Sequence, residues 1–371
     1  MRAGRCRTVD IGSAEELDRR VAELSSVASG TESAVTGWRL QDLDLRGHGA
    51  VLDRIDVSGA LFLGCRFDDG VEAGLRTRGA LVFPALPDLP FDPYRSTLYV
   101  PAELYDGLDV SYQNTRDAVI YAWTRRTGAE LYRTLGQALH DQAIDDALER
   151  FVADRRLVGV MGGHRLERGS AGYAHAARLG WMLGGRGLTV TTGGGPGAME
   201  AANLGAYFSE QPEHVLDKAL SGLAAVPSYQ PSVQRWAQAA FGVRDQHPGG
   251  VASLGIPTWF YGQEPPNAFA TAVAKYFKNA LRESILVHLC RAGIVFLRGA
   301  AGTVQEIFQD ACENYYALGE AVAPMVLVGE RYWTEQVPAW PLLDALGRER
   351  AMGGSVHLVD DVAAALDVLG A

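Results

Sequence analysis

The chain has 371 residues, 47% hydrophobic and 21% charged, a composition typical of a globular protein with two domains, or one large domain and an appendage. Its net charge of −10 argues against a broad surface for nucleic acid or for an anionic membrane, and leaves room for a local basic pocket. No run approaches the roughly 18 apolar residues of a membrane span, and no leader-like segment opens the chain, so we expect a cytoplasmic protein. The cysteines lack CxxC spacing, which predicts buried free thiols at Cys6, Cys65, Cys290 and Cys312.

Residues 1–110 predict a smaller, β-rich accessory region. It includes a helix over 14–25 that Ser13 can cap. In residues 50–67, small or aliphatic side chains recur every five positions, each followed two residues later by a larger apolar one. This spacing resembles the pentapeptide repeat, which forms a square β-solenoid, although two strands of an ordinary small sheet explain it equally well. In either case we expect packing or assembly structure rather than chemistry.

A segment rich in proline and aromatic residues over 80–112 predicts an ordered crossing between parts of the fold. Residues 111–155 then show apolar side chains three and four apart, which predicts a connector of two or three helices.

From residue 156 to 371, short apolar runs alternate with helical periodicity, and residues 227–250 predict a loop that could cover a site. Such alternation predicts an α/β fold: a Rossmann-like, doubly wound parallel sheet that binds ligands at the carboxyl ends of its strands. The expected strands cover 157–161, 188–192, 220–226, 256–261, 294–297, 324–328 and 356–359, and the expected helices cover 196–207, 171–183, 267–289, 303–316, 340–346 and 362–369.

Two glycine loops, 193–197 and 299–302, follow predicted strands and precede predicted helices. Small residues let the backbone approach a ligand closely, and the first N–H groups of a helix attract an anion, so the pair predicts a nucleotide or phosphosugar site. Thr303 can cap the second helix. Glu306 then has two interpretations, a capping-box partner of the Thr303 N–H or a carboxylate beside a phosphate-bearing ligand.

The sequences GGGPGAMEAANLGA (193–206) and RGAAGTVQE (298–306) resemble the two signatures of the LOG family, whose members were often labelled lysine decarboxylases. The resemblance covers about residues 156–330. Within that family, GGH (162–164) and EPPN (264–267) look most like the bacterial nucleotide 5′-monophosphate nucleosidases. The resemblance implies a Rossmann-like fold and an enzyme that hydrolyses the N-glycosidic bond of nucleoside 5′-monophosphates to free base and ribose 5-phosphate.

The resemblance also implies site residues. Glu306 would stabilise an oxocarbenium-like sugar and position water, and Arg282 would orient the phosphate or ribose. The implied substrate- and phosphate-binding residues are Gly162, Gly163, His164, Gly194, Gly195, Gly197, Met199, Glu200, Arg298, Gly299, Ala300, Gly302 and Thr303. The implied chemistry needs no metal and no cofactor.

Several alternatives stay open at this point. Glu200 is either a second carboxylate or a first-turn residue of a helix, His164 either contacts ligand or holds its loop, and Lys275 and Lys278 are expected on a solvated helix face. The family's PGG is Arg298-Gly299-Ala300 in this chain, and Gln305 replaces a common Glu. A non-catalytic nucleotide-binding or nucleotide-sensing protein is therefore the rival function, with an assembly protein as a third. The apolar residues of the expected 267–289 helix, together with the family, predict a homodimer or higher homo-oligomer.

Overall fold

The computed structural model describes residues 9–27, 35, 37–86, 88–128, 130–260, 264–317 and 319–370. The chain divides into two compact units, Met1–Ser96 with Thr134–Ala143, and Thr97–Arg133 with Ile144–Ala371. The domain boundaries that we placed after residues 110 and 155 stay predictions. No helix among the described residues is long and apolar enough to cross a membrane.

The first unit contains a four-stranded parallel sheet whose strands follow one another in chain order. Ser13 caps the first helix as expected, because its Oγ accepts the Glu16 N–H at 3.1 Å. The strands are β1 (Val9–Ile11), β2 (Trp38–Gln41), β3 (Leu61–Leu63) and β4 (Leu81–Phe83), and the helices are α1 (Ala14–Val27), α2 (Gly49–Leu52) and α3 (Val71–Thr77).

The five-residue spacing in residues 50–67 lies within this parallel sheet, and its interpretation as a pentapeptide coil stays a prediction. This segment holds the end of α2 and strand β3. Leu61 of β3 pairs with Arg39 on one side and Leu81 on the other, so the repeating unit is a strand followed by a short helix. The apolar side chains are spaced for burial in this β–α unit, and Leu52 and Phe62 both lie in its core.

The second unit is built on a seven-stranded sheet in the order β11-β10-β9-β5-β6-β7-β8, in which all neighbouring strands are parallel. The strands are β5 (Leu157–Met161), β6 (Thr189–Thr192), β7 (Leu254–Gly255), β8 (Ala272–Val273), β9 (Ile294–Phe296), β10 (Met325–Val328) and β11 (Val356–Val359). The helices from residue 101 on are α4 (Pro101–Leu104), α5 (Arg116–Thr124), α6 (Glu130–Val152), α7 (Ala171–Gly185), α8 (Ala198–Tyr207), α9 (Glu213–Leu223), α10 (Val233–Gln246), α11 (Asn279–Leu289), α12 (Ala301–Tyr316), α13 (Ala339–Gly347) and α14 (Val362–Val368). The predicted Rossmann-like α/β fold is confirmed.

The strand order reverses between β5 and β9. From β5 the chain builds the sheet outward through β6, β7 and β8, and then returns to β5 to add β9, β10 and β11 on the other side. The helices that follow β5 and β9 therefore lie on opposite faces of the sheet, which leaves a crevice at the carboxyl ends of these two strands. This topological switch point is where an open α/β sheet most often binds its ligand.

Helices α7 and α8 pack against each other at two glycines, and their contact forms a large part of the core. A Cβ on Gly180 would overlap the carbonyl oxygen of Ala202, and a Cβ on Gly205 would overlap that of Ala177. Only residues without a side chain allow the two backbones to come this close. The close approach fixes α8, and with it the loop 193–197 that precedes the helix.

The expected helix over 267–289 is wrong in its first half. The Oδ1 of Asn267 accepts the N–H groups of Phe269 and Ala270, which makes a turn, and the chain then continues through β8 before α11 begins at Asn279. Phe269 and Tyr276 are fully buried within this chain. Of the apolar residues that suggested a subunit contact, Phe269, Val273, Tyr276 and Phe277 are core residues and only Ala280 is exposed, so they give no support to an oligomer.

Four smaller predictions also differ from the structure. Residues 227–250 contain helix α10, whose Trp236 is buried, rather than an open loop, and residues 220–223 end helix α9 rather than begin a strand. Pro196 precedes α8 instead of opening it, because Gly197 is the N-terminal cap. The strand expected over 256–261 is absent from residues 256–260, because β7 already ends at Gly255, and residue 261 lies outside the described residues.

Candidate functional site

A cleft of about 740 Å³ lies at the switch point, between the segment after β5 and the loop after β9. Two glycines bring these segments together: a Cβ on Gly162 would crowd Leu297, and the Gly163 N–H donates to the Arg298 carbonyl at 3.1 Å. The lining residues are Met161, Gly162, Gly163, His164, Arg165, Leu166, Met199, Glu264, Arg282, Glu283, Arg298, Gly299, Ala300, Ala301, Gly302, Thr303, Gln305, Glu306 and Tyr332. All but four of the predicted site residues therefore line one cleft.

The loop after β9 presents the N-terminus of α12 to this cleft. The helix begins at Ala301, and its first N–H groups have no acceptor within the helix. A Cβ on Gly299 would overlap the hydroxyl of Thr303, so that glycine lets the hydroxyl fold back over the loop. Ala300 has φ −107°, which any residue adopts, and alanine therefore replaces the family's glycine without backbone strain. Tyr332 holds the loop by donating its hydroxyl to the Gly299 carbonyl at 2.6 Å.

Arg282 is fixed against the protein by two backbone carbonyls. Its Nε donates to Ile256 at 2.6 Å and its Nη2 donates to Gly193 at 3.2 Å, while its Nη1 lies 3.6 Å from the Glu306 carboxylate. A Cβ on Gly193 would overlap the guanidinium, so this position requires glycine. Arg282 is thus held in one orientation with its remaining nitrogen directed at Glu306.

Glu306 does not form the capping box that we considered. The cap of α12 is Ala300, no side chain caps the helix, and the Glu306 carboxylate pairs with Arg282 instead. Burial raises the pKa of Glu306 to about 7, the positive charge of Arg282 acts against that rise, and the carboxylates of Glu283 and Glu264 add to it. The side chain can therefore take up or release a proton near neutral pH.

Sequence reasoning missed the carboxylate of Glu283, which lies on α11 beside Arg282. Both of its oxygens are occupied: the side-chain amide of Asn279 donates to Oε1 at 2.7 Å, and that of Gln305 donates to Oε2. This pairing gives Gln305 a function that the family signature did not suggest. A glutamate at position 305 would place two carboxylates in contact.

The loop 193–197 is filled by the protein itself. A Cβ on Gly194 would meet Pro257, and a Cβ on Gly197 would meet the carbonyls of Gly163 and His164. The carbonyl of Gly195 accepts from the Asn267 side chain at 3.2 Å. Gly194, Gly195 and Gly197 do not line the 740 Å³ cleft, and neither does Glu200. Any contact that these four residues make with a ligand stays a prediction.

Glu200 forms a buried ion pair. The Arg168 guanidinium donates to both carboxylate oxygens, with Nε 3.0 Å from Oε2, and both side chains are only 1% exposed. Arg168 also donates to the carbonyl of Trp236 at 3.1 Å and lies over its indole ring. The pair ties α8 to α10 and is a packing element of the core.

Lys275 forms another buried ion pair, so our expectation that it lies on a solvated helix face is wrong. It is 1% exposed rather than solvated, and it pairs with Asp117, which also accepts the Trp259 indole N–H at 2.8 Å. The segment that carries Lys275 is not the outer face of a helix, which is why the helical pattern misplaced it. Lys278, three residues later, is exposed.

Cys65 and Cys290 are buried free thiols as expected, Cys312 is an exposed one, and Cys6 lies outside the described residues. Within the part of the chain that the structure describes, no group of three or more His, Cys, Asp or Glu side chains could hold a metal ion.

No family model and no curated protein matches this chain. Solved structures that resemble it include the molybdenum cofactor binding protein from the phototrophic bacterium Rippkaea orientalis, at 14% identity and a TM-score of 0.36, covering 58% of this chain and 96% of that one. The Moco carrier protein from Chlamydomonas reinhardtii resembles it at 19% identity and a TM-score of 0.36, with 58% and 96% covered. A second structure of that carrier gives 19% identity and a TM-score of 0.35, with 58% and 99% covered.

These findings correct the interpretation drawn from the sequence signatures. Assignment to the LOG family is wrong, because no family model supports it and the structural neighbours are molybdenum cofactor proteins. The predictions that depended on it, hydrolysis of nucleoside monophosphates, a nucleotide sensor and a nucleoside monophosphate partner, are wrong for the same reason. The second glycine signature forms a switch-point loop after β9, whereas the first forms a loop after β6 that the protein itself fills. This geometry does not specify one ligand.

Proposed function

We propose that the cleft binds a phosphate-bearing small molecule, with the anionic group at the N-terminus of α12. The main support for this proposal is that the segment after β5, the loop after β9 and the Arg282–Glu306 pair all line one cleft at the switch point. Helix dipole and unpaired N–H groups favour an anion there, and the exposed Arg298 adds a positive charge at the rim.

The volume of the cleft supports a ligand larger than free phosphate. About 740 Å³ is within the range of pockets that hold drug-sized molecules and cofactors. The molybdenum cofactor, for which the solved neighbours are named, is the first ligand to test. Its binding to this chain is a proposal that rests on the cleft and not on those likenesses.

Two expectations from the sequence, the compartment and enzymatic activity, are also proposals. The cytoplasm is our proposal for the compartment. That the protein is an enzyme stays a prediction independent of any one reaction, and binding or carriage without chemistry is the alternative.

The test measures phosphate affinity by isothermal titration calorimetry with inorganic phosphate and with ribose 5-phosphate. Substitution Thr303→Val removes a buried hydroxyl from the first turn of α12 and should weaken both ligands by roughly tenfold. Thr334→Val, which removes a hydroxyl that bonds only the Glu330 carbonyl on the surface, is the matched control. Equal affinity in the wild type and in Thr303→Val would contradict an anion site at this helix.

A further inference from the structure

Glu264 carries an unused acceptor at the wall of the cleft. Its Oε1 is buried and has no hydrogen-bond partner within the described part of the chain. The Nδ1 atom of His164 lies 3.8 Å from this oxygen, which is beyond hydrogen-bond distance. A buried carboxylate oxygen without a donor is costly, so such an atom in a cleft indicates a group that a ligand completes.

The surroundings of Glu264 suit a flat ring. Met199 lies beside the carboxylate, since a Cβ on Gly195 would contact both the Met199 methyl group and Glu264 Oε1. Leu166 and Met161 line the same cleft and give it further apolar surface. The side chain of His164 is 46% exposed, so rotation of its imidazole can uncover the Glu264 oxygen.

An aromatic side chain, Tyr229, lies near the carboxylate of Glu264. Burial raises the pKa of the Tyr229 hydroxyl, and the negative charge of Glu264 raises it further while Arg165 acts in the opposite direction. Tyr229 lines a smaller cavity of about 270 Å³ that shares His164 and Arg165 with the main cleft. Glu264 therefore lines the main cleft close to His164, one of the residues that the two cavities share.

We propose that Glu264 determines ligand specificity by accepting two adjacent N–H donors from a 2-amino-4-oxopyrimidine ring. A carboxylate offers two oxygens side by side, and this ring presents a ring N–H beside an amino group at the matching spacing. Apolar contact with Met199 and Leu166 would hold the ring face. The inference rests on the proposed function, because it assigns the other end of the same ligand.

The ring occurs in pterins and in guanine, and two ligand pairs separate these sources. Pterin and lumazine differ by exchange of the amino group for an oxo group, and guanosine and inosine differ by loss of the amino group. None of the four carries a phosphate, so failure of the phosphate site leaves this measurement unaffected. Pterin and lumazine binding is followed by their own fluorescence, and the nucleosides are tested by competition.

The wild type should bind the amino member of at least one pair more tightly by roughly 10- to 100-fold. Glu264→Gln should remove or reverse that preference, because an amide offers one donor and one acceptor where the ring needs two acceptors. Glu210→Gln, which alters an exposed carboxylate that lines neither cavity, is the matched control and should keep the preference. The pair that shows the preference identifies the source of the ring.

Two results would overturn the inference. One is equal affinity for both members of each pair in the wild type. The other is a preference that survives Glu264→Gln unchanged, which would show that Glu264 only holds His164 in place. Circular dichroism and retained phosphate binding by Glu264→Gln establish that the variant is folded.

Discussion

The proton on Glu306 should make the protein less stable as the pH rises. Burial raises the pKa of this carboxyl from 4.5 to about 7, so the folded state holds the proton more tightly than the unfolded state does. Its contribution to the free energy of unfolding is therefore complete below about pH 4.5 and is lost as the pH rises through about 7. A shift of this size corresponds to at most about 3 kcal/mol, at about 1.4 kcal/mol for each pKa unit.

Substitution Glu306→Gln isolates this contribution, because the amide keeps the shape of the side chain and does not titrate. We expect the stability of the variant relative to the wild type to increase by up to about 3 kcal/mol between about pH 5 and pH 8. The measurement is urea unfolding followed by circular dichroism at several pH values. Glu335→Gln alters an exposed carboxylate 3.1 Å from Arg331 and should leave the wild-type profile unchanged.

One result would refute the reasoning. If the stability difference between the wild type and Glu306→Gln is the same at every pH, Glu306 does not change its protonation over this range. The competing effect is the guanidinium of Arg282 at 3.6 Å, which favours the charged carboxylate. A flat difference would mean that this attraction outweighs burial, and that the cleft carries a fixed negative charge near its proposed anion site.

Three further predictions concern residues that support the site. Arg168→Met leaves Glu200 buried without its partner and should lower the free energy of unfolding by about 3–5 kcal/mol. Arg178→Met breaks only surface pairs and should lower it by less than about 1 kcal/mol. Denaturant titration measures both changes. Gln305→Glu places a carboxylate against Glu283, so its melting temperature should fall below that of the wild type at about pH 8 and recover at about pH 5, as seen by calorimetry. Gly205→Ala drives a methyl group into the backbone of α7 and should lower the free energy of unfolding by at least about 3 kcal/mol. Gly222→Ala should be tolerated, because a Cβ at that position meets no other atom.

The sequence was sufficient where a short apolar run marks a buried strand. Strand β5 (Leu-Val-Gly-Val-Met) and strand β11 (Val-His-Leu-Val) begin and end where expected, because short runs dominated by apolar residues leave few alternatives. The same reasoning located the loop after β9 and the helix that follows. These elements depend on local pattern, and local pattern is what a sequence displays directly.

Strand order is not a local property, and here the prediction was limited. The loops 193–197 and 299–302 both follow strands, which suggested that they bind the ligand together. In the structure β9 pairs with β5 and not with β6, so the loop after β5 faces the loop after β9. The sequence analysis noted Glu264 only as the first residue of the EPPN motif (264–267), because nothing in the sequence shows that its side chain reaches the same cleft.

Residue 305 shows why family signatures and physical environment have to be considered together. Gln305 first looked like a departure that removed a carboxylate. The structure places its amide on Glu283, which already receives a hydrogen bond from Asn279, so an amide is the side chain that satisfies the remaining oxygen. A second carboxylate there would have no donor and would add negative charge beside Glu306, whose pKa burial has already raised. The composition of this cleft therefore depends on how charge is distributed among residues 283, 305 and 306, and changing residue 283 or 305 alone should alter the protonation of Glu306.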